Sequence, residues 1–248
     1  MNQRLAQIYR HPIKGHGREA LASVALSAGA CLPWDRQWAV AHEAAKLIEG
    51  WNRCANFARG AKAPALMAIT ARLDEATRQV VLAHPERGEI AFCPDDPADL
   101  PRFLDWVRPL NPAARAQPVR IVTADVGMTD SAFPSVSILS LASLADLSAR
   151  MGMDLSVDRW RGNLWIEGAA PFAEFDWIGR HLRIGTAVLR IEERITRCSA
   201  TAVDTVTGRP AGDTLHGLEA AYGHQDFGVY GIVITPGRVA VDDDWSLL

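Results

Sequence analysis

Thr196-Arg197-Cys198-Ser199-Ala200-Thr201-Ala202-Val203-Asp204-Thr205-Val206-Thr207-Gly208 sets one thiol beside a guanidinium, after a strand-like run and before a turn-rich segment. An adjacent cation favours the thiolate, the form that attacks electrophiles and binds soft metals. Cys31, Cys54 and Cys93 do not combine an adjacent guanidinium with a strand-like run before and a turn-rich run after. The residues leading into the stretch, Ala187 to Ile195, read as a strand that turns at Gly185-Thr186 from another over Arg180 to Ile184.

Strand signals of this kind recur along the chain. They cover Arg4 to Arg10, Gln37 to His42, Leu66 to Leu73, Gln79 to Ala83, Ile90 to Cys93, Val119 to Val122, Ser135 to Leu139 and Leu164 to Glu167. Asp74-Glu75-Ala76-Thr77-Arg78 reads as a hairpin connection, and Gly228 to Ile234 with Arg238 to Val241 as a terminal hairpin around Pro236-Gly237. Three helices are expected: Leu100 to Val107, Leu141 to Met151 between Ser140 and Gly152, and Thr214 to Tyr222 between Asp213 and Gly223. Strands outnumber helices, so the expected class is mainly β (α+β) with barrel-like sheets and a few helices. Pro109, Pro112 and Pro118 make Arg108 to Pro118 the best linker, dividing the chain into 1–110 and 119–248.

The length of 248 residues is ample for a sizeable core, and 48% hydrophobic with 22% charged residues fits a globular protein. A net charge of −3 gives no bulk attraction to nucleic acid or anionic lipid, so neither is an expected partner. Four cysteines without a C-x-x-C pair argue against a disulfide scaffold, a zinc knuckle and an iron–sulfur cluster. A redox reaction here therefore calls for electrons from another protein. Met1 to Arg10 lacks the apolar core of a signal peptide. No run nears the roughly 18 apolar residues of a membrane span, and a cytoplasmic setting is expected.

Several short motifs occur in one order: Tyr9-Arg10-His11-Pro12-Ile13-Lys14-Gly15, Asp35-Arg36-Gln37-Trp38, the helix start at Leu139 to Leu147, Arg161-Gly162-Asn163, Pro171-Phe172-Ala173-Glu174, Arg197-Cys198 with Val203-Asp204 and Thr207-Gly208, and Phe227-Gly228-Val229-Tyr230. By these the second half resembles a MOSC domain. The first half resembles the β-barrel domain preceding it in the YcbX and mitochondrial amidoxime-reducing component branch. The resemblance implies a molybdenum cofactor (molybdopterin), with tungsten the alternative metal, and no pyridoxal phosphate. Cys198 is then the metal ligand and catalytic centre, a soft anionic sulfur suited to molybdenum. Lys14, Arg36, Arg161, Asn163, Thr196, Arg197, Asp204 and Tyr230 stand at positions resembling cofactor contacts, the arginines as planar forks for oxyanions.

Some of these residues also have plainer readings. Asp204 reads equally as a turn-former or an acid, Tyr230 as a core aromatic, and Asn163 as a turn-closer. His224 is a further pocket candidate. The chain departs from the family pattern at Gly15, where a side-chain donor is common, and at Gly162, where proline is usual.

The activity the resemblance implies is reduction of N-hydroxylated or N-oxygenated small molecules, with electrons from a separate iron–sulfur or flavoprotein donor. The alternative is a cofactor carrier or sulfur-transfer protein using Cys198. A cysteine hydrolase is disfavoured because no histidine lies in a pairing motif.

Overall fold

Burial follows alternation along the strand Ala187–Thr196: Ala187, Leu189, Ile191 and Ile195 face inward, while Arg190 and Arg194 do not. In the computed structural model, which describes residues 3–248, this strand lies near one end of an eight-stranded sheet. Residues 1 and 2, where the expected first domain begins, lie outside the described residues. The sheet order is Trp245–Leu247, His181–Ile184, Ala187–Thr196, Asp226–Thr235, Val136–Ser140, Leu164–Glu167, Arg4–Arg10, Glu19–Leu21. Val136–Ser140 and Leu164–Glu167 run parallel, connected through helix α2, Leu141–Met151. Its Ser140 hydroxyl accepts from the Ser143 N–H, and Gly152 ends it at a φ of 63°.

The first half builds two small sheets. Trp38–His42 is flanked by Ile13–Lys14 and Pro118–Thr123, and Thr70–Asp74, Gln79–His84 and Gly88–Phe92 form a meander. Helix α1, Leu100–Val107, buries Phe103, Leu104, Trp106 and Val107 against them. The expected linker does not separate the sheets. Pro118 begins the strand that pairs with Trp38–His42, and Arg4–Arg10 pairs with Leu164–Glu167. The two halves are thus joined by strand pairing as well as by chain.

All three expected helices form as read, including α3, Thr214–Tyr222, where the Asp213 carboxylate accepts from the His216 N–H at 3.0 Å. The terminal hairpin does not form. Asp226–Thr235 is flanked on both sides, by Ala187–Thr196 and Val136–Ser140, and has no free edge to offer. Gly237–Ala240 therefore pairs with Ser23–Leu26, a strand the sequence pattern did not reveal. Leu66 lies in a 3-10 turn begun by Pro64, and the strand starts at Thr70.

Candidate functional site

Two arginines anchor the site through unusual backbone. Arg36 and Arg161 have φ of 54° and 50°, a left-handed conformation rare for side-chain-bearing residues and sustained only by firm surroundings. They hold one another, with Arg36 Nη2 donating to the Arg161 carbonyl at 3.0 Å. Arg36 Nη1 pairs with the carboxylate of buried Asp35. The other Asp35 oxygen, Oδ1, accepts from the His11 backbone N–H at 2.7 Å and lies 3.2 Å from the His11 ring Nδ1. Burial alone would raise Asp35, but Arg36 and His11 hold it well below the usual carboxylate range. Burial, then Arg161, pushes His11 down to about 3, so its ring is neutral.

Lys14 is almost as enclosed. Its Nζ donates to the carbonyls of Met128 at 2.8 Å and Thr129 at 3.2 Å, and to Asp130 at 2.6 Å. All three ammonium donors are thereby committed. Burial lowers Lys14 from its ordinary value. Burial works upward on Asp130, and the Lys14 and Arg36 charges outweigh it to hold the carboxylate below its ordinary value. Gly15 follows at a φ of 75°, where a Cβ would lie 2.8 Å from the Ala58 carbonyl oxygen. The close approach of the two segments explains why no side-chain donor stands there.

Arg161 Nη1 donates to the Gly17 carbonyl at 3.1 Å, while its Nη2 is buried with no hydrogen-bond partner. Burial, then the neighbouring Arg36 charge, brings Arg161 down to about 9. An orphaned buried guanidinium nitrogen is costly unless an acceptor reaches it.

The opposite wall carries the thiol. Cys198 precedes a 3-10 turn, Ser199–Ala202; its carbonyl accepts from the Thr201 N–H at 3.2 Å and hydroxyl at 3.1 Å, and the residue is exposed. Arg197, expected among the cofactor contacts, is bound into the wall: Nε donates to the Phe227 carbonyl at 2.7 Å and Nη1 to the Trp160 carbonyl at 2.9 Å. Gly228, at a φ of 77°, makes room. A Cβ there would lie 2.8 Å from the Ile138 carbonyl and 3.3 Å from Arg197 Nη2. Thr196 is likewise committed, its hydroxyl donating to Asp226 at 2.7 Å.

Asp204 acts as the turn-former. Its Oδ1 accepts from the Val206 N–H at 3.1 Å and from the Thr207 N–H and hydroxyl, each at 2.8 Å. These bonds, those from Thr207 first, hold it below its ordinary value. Its other oxygen lies 3.7 Å from Arg159 Nη2. Arg159 is buried, donates to the Ala211 carbonyl at 2.8 Å, and leaves its Nε without a partner. The Val-Asp and Thr-Gly elements of the motif therefore brace the segment that follows Cys198.

Between these walls lies a cavity of about 620 Å³, within the range of small-ligand sites. Lys14, Arg36, Arg161, Asn163, Thr196, Arg197, Cys198 and Tyr230 all line it; Asp204 does not. Asn163 serves the sheet, its side chain bonding Ser137 at 2.8 Å and the Tyr9 carbonyl at 3.2 Å. Burial, then Asp130, pushes the Tyr230 hydroxyl up to about 12, so it remains protonated. His224 lies outside the lining, packed against Tyr222 and Phe175.

Sequence reading missed Asp130, Arg159, Cys54 and the cations Arg53, Arg59 and Lys62, which also line the cavity. Two runs carried a signal: Arg159-Trp160-Arg161, two guanidiniums about an indole, and Arg53-Cys54, a second thiol beside a guanidinium. In all, eight cationic side chains line the cavity against the single carboxylate of Asp130, in a chain of net charge −3. The arrangement favours an anionic ligand with a soft centre at Cys198.

Comparison with known proteins agrees with this geometry. Residues 2–100 match the family profile of the MOSC N-terminal beta barrel domain and residues 129–246 that of the MOSC domain. Mitochondrial amidoxime-reducing component 1 of Homo sapiens is 31% identical over 170 residues, covering 64% of this chain and 49% of the relative. Its counterpart in Danio rerio is 31% identical over 114 residues, 46% of this chain and 34% of the relative. A molybdenum cofactor sulfurase of Anopheles gambiae is 35% identical over 79 residues, 32% of this chain and 10% of the relative. The chain thus spans no more than about half the length of these relatives. Among the described residues, no helix is long and apolar enough to cross a membrane.

Proposed function

This chain belongs to the MOSC family, a MOSC N-terminal β-barrel domain followed by a MOSC domain, and on that premise we propose that it is a molybdenum-cofactor oxidoreductase reducing N-hydroxylated or N-oxygenated small molecules. The observation that carries the reading is the exposed Cys198 thiol on a cavity with eight cations to one carboxylate. The kinship with amidoxime-reducing components supports the reaction class, and that with a cofactor sulfurase supports the cofactor.

The residues fit such a group. Among the described residues no three His, Cys, Asp or Glu side chains gather as a metal site. A metal held here would take one ligand from Cys198 and the rest from a bound organic group, as a pterin dithiolene provides. Arg161 Nη2, Arg159 Nε and Trp160 Nε1, three buried donors without partners on residues of the lining, await acceptor oxygens or ring nitrogens. When bound, the cofactor would supply a two-electron metal centre for cleaving an N–O bond.

The chain's own part is binding, orientation and proton supply. Reducing R–NH–OH to R–NH2 and water consumes two electrons and two protons. The protonated Tyr230 hydroxyl and solvent at exposed Asp130 stand on the cavity as proton sources. The electrons come from a separate iron–sulfur or flavoprotein donor.

Elemental analysis and pterin fluorescence on protein from a cofactor-competent host test the reading. About one molybdenum per chain is expected, lost in Cys198→Ser without change in fold. Absence of both metal and pterin overturns it. Turnover of hydroxylamines with a pyridine nucleotide alone overturns the separate donor.

A second reading, cofactor carriage or sulfur transfer at Cys198, draws on one observation: the exposed thiols of Cys54 and Cys198 line the same cavity. Uptake of sulfane sulfur at Cys198 by protein that retains no metal would favour it.

A further inference from the structure

A second cavity, of about 350 Å³, adjoins the first. Trp51 lines both, and the segment 127–135 runs between them, with Met128 and Phe133 on the smaller and Thr129, Asp130 and Ser135 on the larger. This partition is pinned from two sides. Trp51 Nε1 donates to the Thr129 carbonyl at 3.0 Å, and Lys14 reaches the same carbonyl and that of Met128. Phe133 of the smaller chamber also meets Tyr230 of the larger edge-on, with ring centroids 6.2 Å apart.

The smaller chamber is chemically unlike its neighbour. Leu47, Ile48, Trp51, Val126, Met128 and Phe133 supply much of its wall. Its polar members are already satisfied: the Asn52 amide donates to the Ile48 and Gly50 carbonyls at 2.8 and 2.9 Å, and the Thr123 hydroxyl to Asp95 at 2.6 Å. Asp125, its one charged residue, is exposed. Ile48 and Val126 are 72% and 55% exposed, so apolar side chains stand in water around a concavity. Scattered apolar residues are ordinary on a surface, but such residues gathered on a concavity mark binding.

We propose that this chamber receives the apolar substituent of a substrate whose N-oxygenated end lies in the main cavity. The chain would then favour N-hydroxy compounds bearing an aryl or alkyl body over hydroxylamine itself. The proposal rests on the reductase reading only for the identity of the polar end; the chamber's preference follows from its own lining. Each methylene withdrawn from water strengthens binding, and the chamber's one charged side chain, Asp125, stays exposed to water.

The test is calorimetric, on protein from a cofactor-competent host, with benzamidoxime and its para-hexyl homologue as probes. The homologue should bind at least tenfold more tightly than the parent compound. Val126→Asp and Ile48→Asp, at positions open to water, should each cut that gain below threefold and leave benzamidoxime affinity within twofold. Val119→Asp, exposed but outside both cavities, should retain the gain. Equal affinities for the two probes, or a gain that survives both Val126→Asp and Ile48→Asp, would overturn the proposal. A gain of the expected pattern with neither compound reduced upholds the chamber and defeats the reductase reading; reduction of both with no gain does the reverse.

Discussion

Asp35 and Glu174 are both buried carboxyl groups, 2% and 0% exposed, in opposite surroundings. Asp35 stands behind Arg36 of the cavity wall, between it and His11, and is held ionised. Glu174 lies beneath the start of α2, where its side chain meets no cation and accepts from the Ser143 hydroxyl, at 2.9 and 3.1 Å. Burial pushes it up to about 7. The contrast shows that cations are not a general feature of this interior. Buried Lys14, Arg36 and Arg159 line the cavity, while Arg10 is paired elsewhere with Glu19 and Glu75, and Asp35 keeps its charge where Glu174, without a cation, does not.

Breaking the Asp35 side should have the largest effect. Arg36→Met removes the guanidinium and leaves a buried carboxylate without its main partner, a change that costs about 3–5 kcal/mol. Urea denaturation at pH 7 should show that loss, while Glu174→Gln under the same conditions should show none. Equal losses would mean that Arg36 does not set the two sites apart.

The Glu174 side is sharpened by pH. Its folded-state value, near 7, lies above the ordinary 4.5. Its contribution to stability is therefore full below about 4.5 and is lost as pH rises toward 7, by about 3 kcal/mol in all. Buried His11 and His16, lowered to about 3 and 4, contribute slopes of the opposite sign, losing stability as pH falls below 6.5. The informative quantity is thus the difference between Glu174→Gln and the parent protein. That difference should move in the variant's favour between pH 4.5 and 7 and stay flat above. A flat difference throughout would mean that Glu174 ionises freely in the folded protein.

How much of this was legible in the sequence depended on range. Caps and periodicity are local, so Ser140, Asp213, Gly152 and Gly223 marked helix ends that the structure reproduces. The short motifs named eight residues that share the cavity, and three of those motifs take a left-handed backbone, at Arg36, Arg161 and Gly228. What escaped depends on distant partners. Nothing near Gly237 indicates that its strand pairs with Ser23–Leu26, and nothing near Asp130 indicates that Lys14 reaches it across 116 positions. The carbonyl acceptors of Arg197, on Trp160 and Phe227, are likewise invisible until the sheet brings them together.

The smallest effect on stability is expected at the rim, where charge is neither buried nor paired. Arg53 and Lys62 are exposed, line the cavity, and have no side-chain hydrogen bond or ion pair among the described residues. Replacing both with alanine should change stability by less than about 0.5 kcal/mol, as surface substitutions away from specific contacts do. Binding should respond more. With inorganic pyrophosphate as probe, calorimetry should show affinity falling several-fold at low salt, with a shallower salt dependence, since exposed charges act over a screened distance. Lys14 and Arg36 already serve carbonyls and carboxylates, so a neutralised rim leaves few free cations to compensate. Unchanged affinity in the double variant would instead assign the anion to Arg161 and Arg159, whose buried Nη2 and Nε lack partners.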